Sequence, residues 1–263
     1  MNTLKRGSNE PDVILLQRYL ELDPDGCFGA KTESALKMFQ GEYKLGADGI
    51  CGLKTWKVLQ EEYDKPEAIT EDDFKDAANE LGLDIAFVKA IAEVEAAGRG
   101  FESNRRPRIL FEGHIFWSRL KKQGLDPEKY ASDHPGILYP KWDRSKYFGG
   151  EKEWNRLEEA WKINKKAALE SASYGLFQIM GFNYASCGCK DVFEFVSEMF
   201  FSEGRQLNMF CKFCKSLGLE KYLKEKDWAG FARRYNGPEY AKNEYDKKLE
   251  AAYKKYKKKW YEF

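Results

Sequence analysis

Histidine is almost missing from this chain: His114 and His134 are the only two in 263 residues. Zinc peptidases and amidases draw on histidine with carboxylate or thiolate partners, and no His-Glu-x-x-His is present. No Cys-His nucleophile pair is evident either. His114 is therefore read as structural, near Glu112. Net charge is nearly absent too. With 44 Lys and Arg against 43 Asp and Glu, general nucleic-acid binding is not expected. No apolar run reaches the roughly 18 residues of a membrane helix. The opening Met1-Asn-Thr-Leu-Lys-Arg-Gly7 leads into no apolar stretch, so a secretion signal is not expected.

Cysteine is sparse: six residues, at 27, 51, 187, 189, 211 and 214. Without a secretion signal they are not expected to form disulfides. Cys187-Gly-Cys189 with Cys211-x-x-Cys214 supplies the thiols of a zinc site, but the first pair lacks the usual knuckle spacing. Cys211 and Cys214 fall at helical spacing, where they serve as small apolar residues. Neither a metal nor an organic cofactor is expected.

What is present is a globular balance, 43% hydrophobic and 33% charged. The length suits one large domain or a small one joined to a medium one. Aromatics are plentiful, with 7 Trp, 15 Tyr and 18 Phe. Flat rings stack on sugars, although most of these are expected to be core.

The first part of the chain repeats itself. Asp25-Gly-Cys-Phe-Gly29-Ala-Lys-Thr32 returns as Asp48-Gly-Ile-Cys-Gly52-Leu-Lys-Thr55. In each copy Asp-Gly is expected to turn, the second Gly to allow a tight backbone, and Thr to cap a helix. Those helices are expected over 33–40 and 56–59, and an earlier one over 13–20 completes a small unit. Residues 1–64 are assigned to this unit, and the polar stretch 65–69, with Pro66, to a linker.

Residues 70–263 read as a larger, mostly helical domain. Thr70 is placed to cap a helix with an acidic first turn. Ile85, Val88, Ile91 and Val94 mark one helical face over 84–95. Arg108-Ile-Leu-Phe-Glu112 is short, apolar and β-prone. Helical patterns follow at 151–172, 190–217, 226–235 and about 239–260. The expected class is mainly α with a minor β element.

Glu95 ends the 84–95 helix, and Gly98 and Gly100 just beyond it stop the helix. The carboxyl is thereby expected at a cleft edge, where partial burial against Val94, Phe101 and Phe111 suits a general acid. Read alone, a helix-terminal Glu is more often a solvated charge. Glu93 should face elsewhere and is read as solvated or ion-paired.

Residues 1–64, including Leu16-Gln17 and Phe39-Gln40 beside the repeated turns, resemble the peptidoglycan-binding domain attached to many cell-wall hydrolases. From Leu83 to Tyr256 the chain resembles the lysozyme-like N-acetylmuramidase domain of bacteriophage endolysins. The matching pieces are Val94-Glu95-Ala-Ala-Gly98-x-Gly100-Phe101 and Pro107-x-Ile109-Leu110-Phe111-Glu112-x-His114. They continue with Ala167 to Gly181, which holds Ser173-Tyr174-Gly-Leu-Phe-Gln178, and with Asp227-Trp-Ala-x-Phe-Ala-Arg-x-Tyr235-Asn236-Gly-Pro238-x-Tyr240.

The resemblance implies hydrolysis of the β-1,4 bond between N-acetylmuramic acid and N-acetylglucosamine in peptidoglycan, leading to lysis of a host cell. It places the general acid on Glu95. The second acid falls on Glu112, to position a water, stabilise an oxocarbenium-like transition state or hold the site together. Where the family often has Ser after the first Glu, this chain has Ala96. Ser173, Tyr174, Gln178, Tyr235 and Asn236 are expected along the sugar cleft, although Asn236-Gly237 also suits a helix C-cap. A lytic transglycosylase and a non-catalytic wall-binding protein stay open as alternatives. The chain is expected to be a monomer held in the host cytoplasm until released to the wall. Its tail carries Leu249, Tyr253, Tyr256 and Trp260 on one side and lysines around the rest. It is expected to pack on its own domain or to meet an anionic outer membrane or lipopolysaccharide.

Overall fold

The computed structural model describes residues 1–63, 68–96 and 98–258, leaving aside the side chains of 236 and 238–240. The N-terminal unit contains α1 (Pro11–Tyr19), α2 (Ala30–Glu42) and α3 (Leu53–Tyr63). Its sequence repeat is a hydrogen-bonding repeat. Gln17 Nε2 donates to Asp25 Oδ1, the Cys27 carbonyl and Thr32 Oγ1, while its Oε1 accepts from the Asp25 and Gly26 N–H groups. Gln40 does the same to Asp48 Oδ1, the Ile50 carbonyl and Thr55 Oγ1, and accepts from Gly49 N–H. Each buried glutamine thus satisfies the polar groups of one Asp-Gly turn.

Two local expectations are corrected by this geometry. Thr32 and Thr55 do not cap; they sit inside the first turns of α2 and α3 as buried acceptors for the glutamines. The glycine that matters in the first turn is Gly26, at φ +68°, where an added Cβ would meet the Trp161 ring at 2.5 Å. Gly29 has φ −91° and open space beside it.

Positions 65–67 of the expected linker lie outside the described residues. Thr70 caps α4 (Glu71–Leu81) through a reciprocal pair with Asp73, as its sequence predicts. Asp84 caps α5 (Ile85–Glu95), and a loop then leads to β1 (Ile109–Phe111). Next come α6 (Gly113–Lys122) and α7 (Glu128–Ala131), two helices outside the expected helical stretches. The long pattern over 151–172 divides into α8 (Lys152–Ile163) and α9 (Lys165–Glu170). Asn164 is the cause: it is extended, and its side chain caps α9 by accepting from Ala167 N–H at 2.9 Å.

Strands β2 (Ala172–Tyr174) and β3 (Ile179–Met180) follow. The pattern over 190–217 divides likewise, into α10 (Val192–Met199) and α11 (Glu203–Ser216), with Ser202 capping the second. The chain continues with α12 (Glu220–Lys224), α13 (Trp228–Asn236) and α14 (Tyr245–Lys258). The class is mainly α, with one small antiparallel sheet in the order β1-β2-β3.

Strand alternation sorts that sheet into two faces. Leu110 pairs with Ser173, and Ser173 with Met180, so these three share one face. Ile109, Phe111, Ala172, Tyr174 and Ile179 share the other, and all five are buried.

The N-terminal unit is packed onto the larger domain rather than hung from it. Asp12 on α1 is 0% exposed, and its two oxygens accept from Arg106 Nε and Nη2, both at 2.9 Å. Arg106 Nη1 reaches Glu158 at 2.7 Å, and its guanidinium lies 5.0 Å from the Trp154 ring centroid. Trp161 Nε1 donates to Asn9, Arg18 pairs with Glu198 at 2.7 Å, and Tyr19 meets Phe201 edge-on. Removing one partner of a buried ion pair strands the other. Asp12→Ala is expected to cost about 3 kcal/mol, the low end for such a loss because Glu158 remains. Urea denaturation checks this, and an unchanged midpoint would refute it.

Candidate active site

Glu95 is the last residue of α5 and is half-buried. α14 fixes this helix from behind: Tyr253 stacks on Phe87 at 4.3 Å, and Leu249 is fully buried. Lys255 Nζ and Tyr256 Oη both donate to Glu93, each at 2.6 Å, so Glu93 is ion-paired as expected. The apolar stripe of the tail thus packs on its own domain; Trp260 lies outside the described residues.

Two groups that feel the Glu95 charge come from α11 and α13. Burial pushes the Cys214 thiol and the Tyr235 phenol well above their ordinary values, and the Glu95 charge adds to both shifts. Tyr235 stacks on Phe231, meets Phe210 edge-on, and its hydroxyl donates to the Phe177 carbonyl at 3.4 Å. Tyr235 thereby ties α13 to the β2–β3 turn. The side chain of Asn236 lies outside the described residues.

That turn is built tightly. Gly175 has φ +71°, and a Cβ there would run into Gln206 at 2.5 Å. Gln206 is buried on α11, accepts from Leu176 N–H at 2.7 Å and donates to the Met199 carbonyl at 2.9 Å. Gly100, in the loop after Glu95, leaves no room for a Cβ against the same side chain. One glutamine therefore anchors both the loop and the turn, and nothing in its helical pattern marked it. Gln178 is held at φ +48°, a left-handed backbone region that is uncommon for non-glycine residues. Its amide accepts from Ser173 Oγ at 2.8 Å and donates to the Gly175 carbonyl at 2.7 Å.

Ser173, itself buried at 6% exposure, and half-buried Gln178 thus lie together on the face of the sheet that carries half-buried Leu110 and Met180. Tyr174 does not join them. It is 1% exposed on the core face, and its hydroxyl donates to the Leu169 carbonyl. Leu176, Phe177 and Ile179 are likewise core, with Phe177 stacked on Phe210 at 4.4 Å.

Glu112 follows β1 at the other end of the sheet. Four strand steps separate it from residue 108, about 13 Å at the usual rise. Tyr147 Oη donates to Glu112 Oε2, and burial together with that carboxylate pushes the phenol up. His114 Nδ1 is 3.3 Å from the same oxygen. Phe111, read as a possible wall for Glu95, instead faces the core below Glu112, against Phe116.

Two buried residues on α8 hold this end of the site, and sequence gave no sign of either. Glu153 Oε2 accepts from Phe111 N–H at 3.1 Å, and its Oε1 accepts from the N–H groups of Phe148 and Gly149. Arg156 Nη1 donates to that carboxylate and to the Phe111 carbonyl, both at 2.7 Å. Strand β1 and the 147–149 segment are thus tied to one ion pair.

Beside the 99–108 loop lies a cleft of about 540 Å³, lined by Arg99, Phe101, Glu102, Arg105, Arg108 and, from α11, Glu203; Glu95, Glu112, Ser173, Gln178 and Tyr235 are not among its lining residues. The four later cysteines are packed as small apolar groups, and burial pushes Cys187, Cys189 and Cys211 up to about 12. Among the described residues no three His, Cys, Asp or Glu side chains converge as a metal site would need.

A family model for N-acetylmuramidase matches residues 84–257, well over half of the chain. The chain belongs to the N-acetylmuramidase family. A second model, for a peptidoglycan binding domain, matches residues 9–59, the helices and turns of the N-terminal unit. The muramidase fold is also shared with the crystal structure of Burkholderia AP3 phage endolysin, at 40% identity and a TM-score of 0.70. That likeness covers 98% of this chain and 100% of the other. A spore cortex-lytic enzyme of Bacillus cereus is 38% identical over 73 residues, which are 25% of this chain and 28% of that enzyme.

The buried pair suggests a direct test. Glu153→Ala leaves Arg156 uncompensated and frees both β1 and the 147–149 segment, at an expected cost of about 3–5 kcal/mol. Activity should fall even where the variant is still folded by circular dichroism. Full activity at that temperature would show that Glu112 does not need this support.

Proposed function

We propose that this chain is a lytic muramidase of the phage-endolysin kind, hydrolysing the β-1,4 bond between N-acetylmuramic acid and N-acetylglucosamine. The observation that carries the reading is the placement of Glu95 at the end of α5, where one buried glutamine, Gln206, packs against both the loop that follows it and the turn of a small sheet. In this reading Glu95 protonates the glycosidic oxygen as the bond breaks. Glu112 has Oε2 held by Tyr147, and its second oxygen is assigned to an attacking water or to the developing positive charge. Ser173 and Gln178 contact N-acetyl or hydroxyl groups from the face of the sheet that carries Leu110 and Met180, and Tyr235 lines the acid's end. Tyr174 supports them from beneath.

The boundaries follow: residues 1–64 attach the enzyme to the wall, 65–69 connect, and 70–263 cut. The glutamine-centred turns explain how the first unit folds, and the wall contacts are assigned to its outer surface. The protein acts as a monomer, released from the host cytoplasm to the wall. Contact with an anionic outer membrane or lipopolysaccharide would fall to exposed lysines of α14 such as Lys248 and Lys258, since its apolar stripe is occupied.

Mass spectrometry of digested peptidoglycan tests the reading, with Glu95→Gln beside the wild type. Products with reducing N-acetylmuramic acid ends are expected from the wild type and should fall by roughly a thousandfold or more in the variant. Anhydro-muramyl ends would instead mean a lytic transglycosylase. Appreciable residual cleavage by Glu95→Gln would remove the residue from its role.

A further inference from the structure

Two of the largest exposed apolar side chains of the described residues belong to one short segment. Trp142 is 60% exposed and Phe148 is 61% exposed. Scattered exposed apolar residues need no explanation, but these two flank the tyrosine that holds Glu112. The Trp142 and Tyr147 rings lie 6.5 Å apart. Tyr147 donates its hydroxyl to Glu112, so the segment is continuous with the candidate site.

The exposure is not that of a loose loop. Asp143 caps a tight turn at Arg144–Lys146 by accepting from Ser145 N–H at 2.9 Å. Buried Glu153 takes the N–H groups of Phe148 at 2.7 Å and Gly149 at 3.0 Å. The Arg156 guanidinium lies 5.7 Å from the Tyr147 ring centroid and 6.0 Å from that of Phe148. Backbone and inner ring are anchored from inside, while two outer rings face water. A ligand meeting them has little ordering left to impose.

We infer that the Trp142–Phe148 segment is a saccharide-stacking platform for the glycan strand beyond Glu112. This rests on the muramidase reading. Ring faces cover the apolar C–H face of a hexosamine, and neighbouring polar groups take its hydroxyls and amides. Here the rings are separated by exposed Arg144 and Ser145, with exposed Lys141 beside Trp142. A basic rim of this kind suits the carboxylates of muramyl units and stem peptides. Two rings set among charges are a poor match for a protein interface, whose core is contiguous and depleted of charge.

Binding of soluble, stem-peptide-free glycan strands tests the platform, measured by calorimetric titration in the Glu95→Gln background. Trp142→Ala and Phe148→Ala should each weaken binding about tenfold, and the pair should weaken it further. Trp142→Phe and Phe148→Tyr keep a ring and should bind within about threefold of the parent. Unchanged affinity in the double alanine variant overturns the platform. So does a loss seen only on phosphatidylglycerol vesicles, which would make the patch a membrane contact. The muramidase reading fails separately, through absence of reducing N-acetylmuramic acid ends from wild-type digests, and the titration still reads the rings in that case. Urea denaturation of each variant excludes a folding defect.

Discussion

A carboxylate without access to water organises the far half of this site. Glu153 is fully buried, and three backbone N–H groups and one guanidinium converge on it. Such a charge is tolerable only when every lone pair is occupied, so the groups that occupy it cannot drift independently. One of them belongs to β1, which leads directly into Glu112. Two others, the N–H groups of Phe148 and Gly149, belong to the segment that delivers Tyr147 to Glu112, and the guanidinium is that of Arg156 on α8 itself. The second acid is therefore aimed by an ion pair one layer below it.

The first acid is supported differently. Gln206 is neutral, yet it satisfies Leu176 and Met199 and leaves no room for side chains at Gly100 and Gly175. Its amide sets the spacing between the loop after Glu95 and the turn that carries Gln178. A charge would cost more to bury there, while an apolar residue would leave the Leu176 N–H unpaired. The two ends of the sheet thus use different chemistry for the same purpose.

Much of the fold could be read from local signals. The Thr70 cap, the apolar face of 84–95 and the repeated Asp-Gly turns each encode their structure within a few residues. Helix breaks at Asn164 and Ser202 were hidden because apolar spacing continues across them. The sheet was harder: strands of three and two residues are too short to show alternation, so Ser173 and Tyr174 could not be sorted into groove and core. Glu153, Arg156 and Gln206 look in sequence like the solvated side of a helix. Trp142 and Phe148 look like core. In each case the environment comes from a distant segment, which no spacing rule carries.

The same dependence on distant segments has a practical meaning for the seam at Arg106. Its carboxylate partners are Asp12 and Glu158, one from each unit, and Trp161 closes over Gly26 while reaching Asn9. The two units look like exchangeable cassettes in the order of the chain, but their contact surface is shared property. A foreign wall-recognition module grafted at the linker would arrive without the carboxylate that Arg106 requires and without the space that Trp161 occupies. Chimeras of this protein need the seam to be exchanged with the module, so that the new partner brings its own acid and its own glycine.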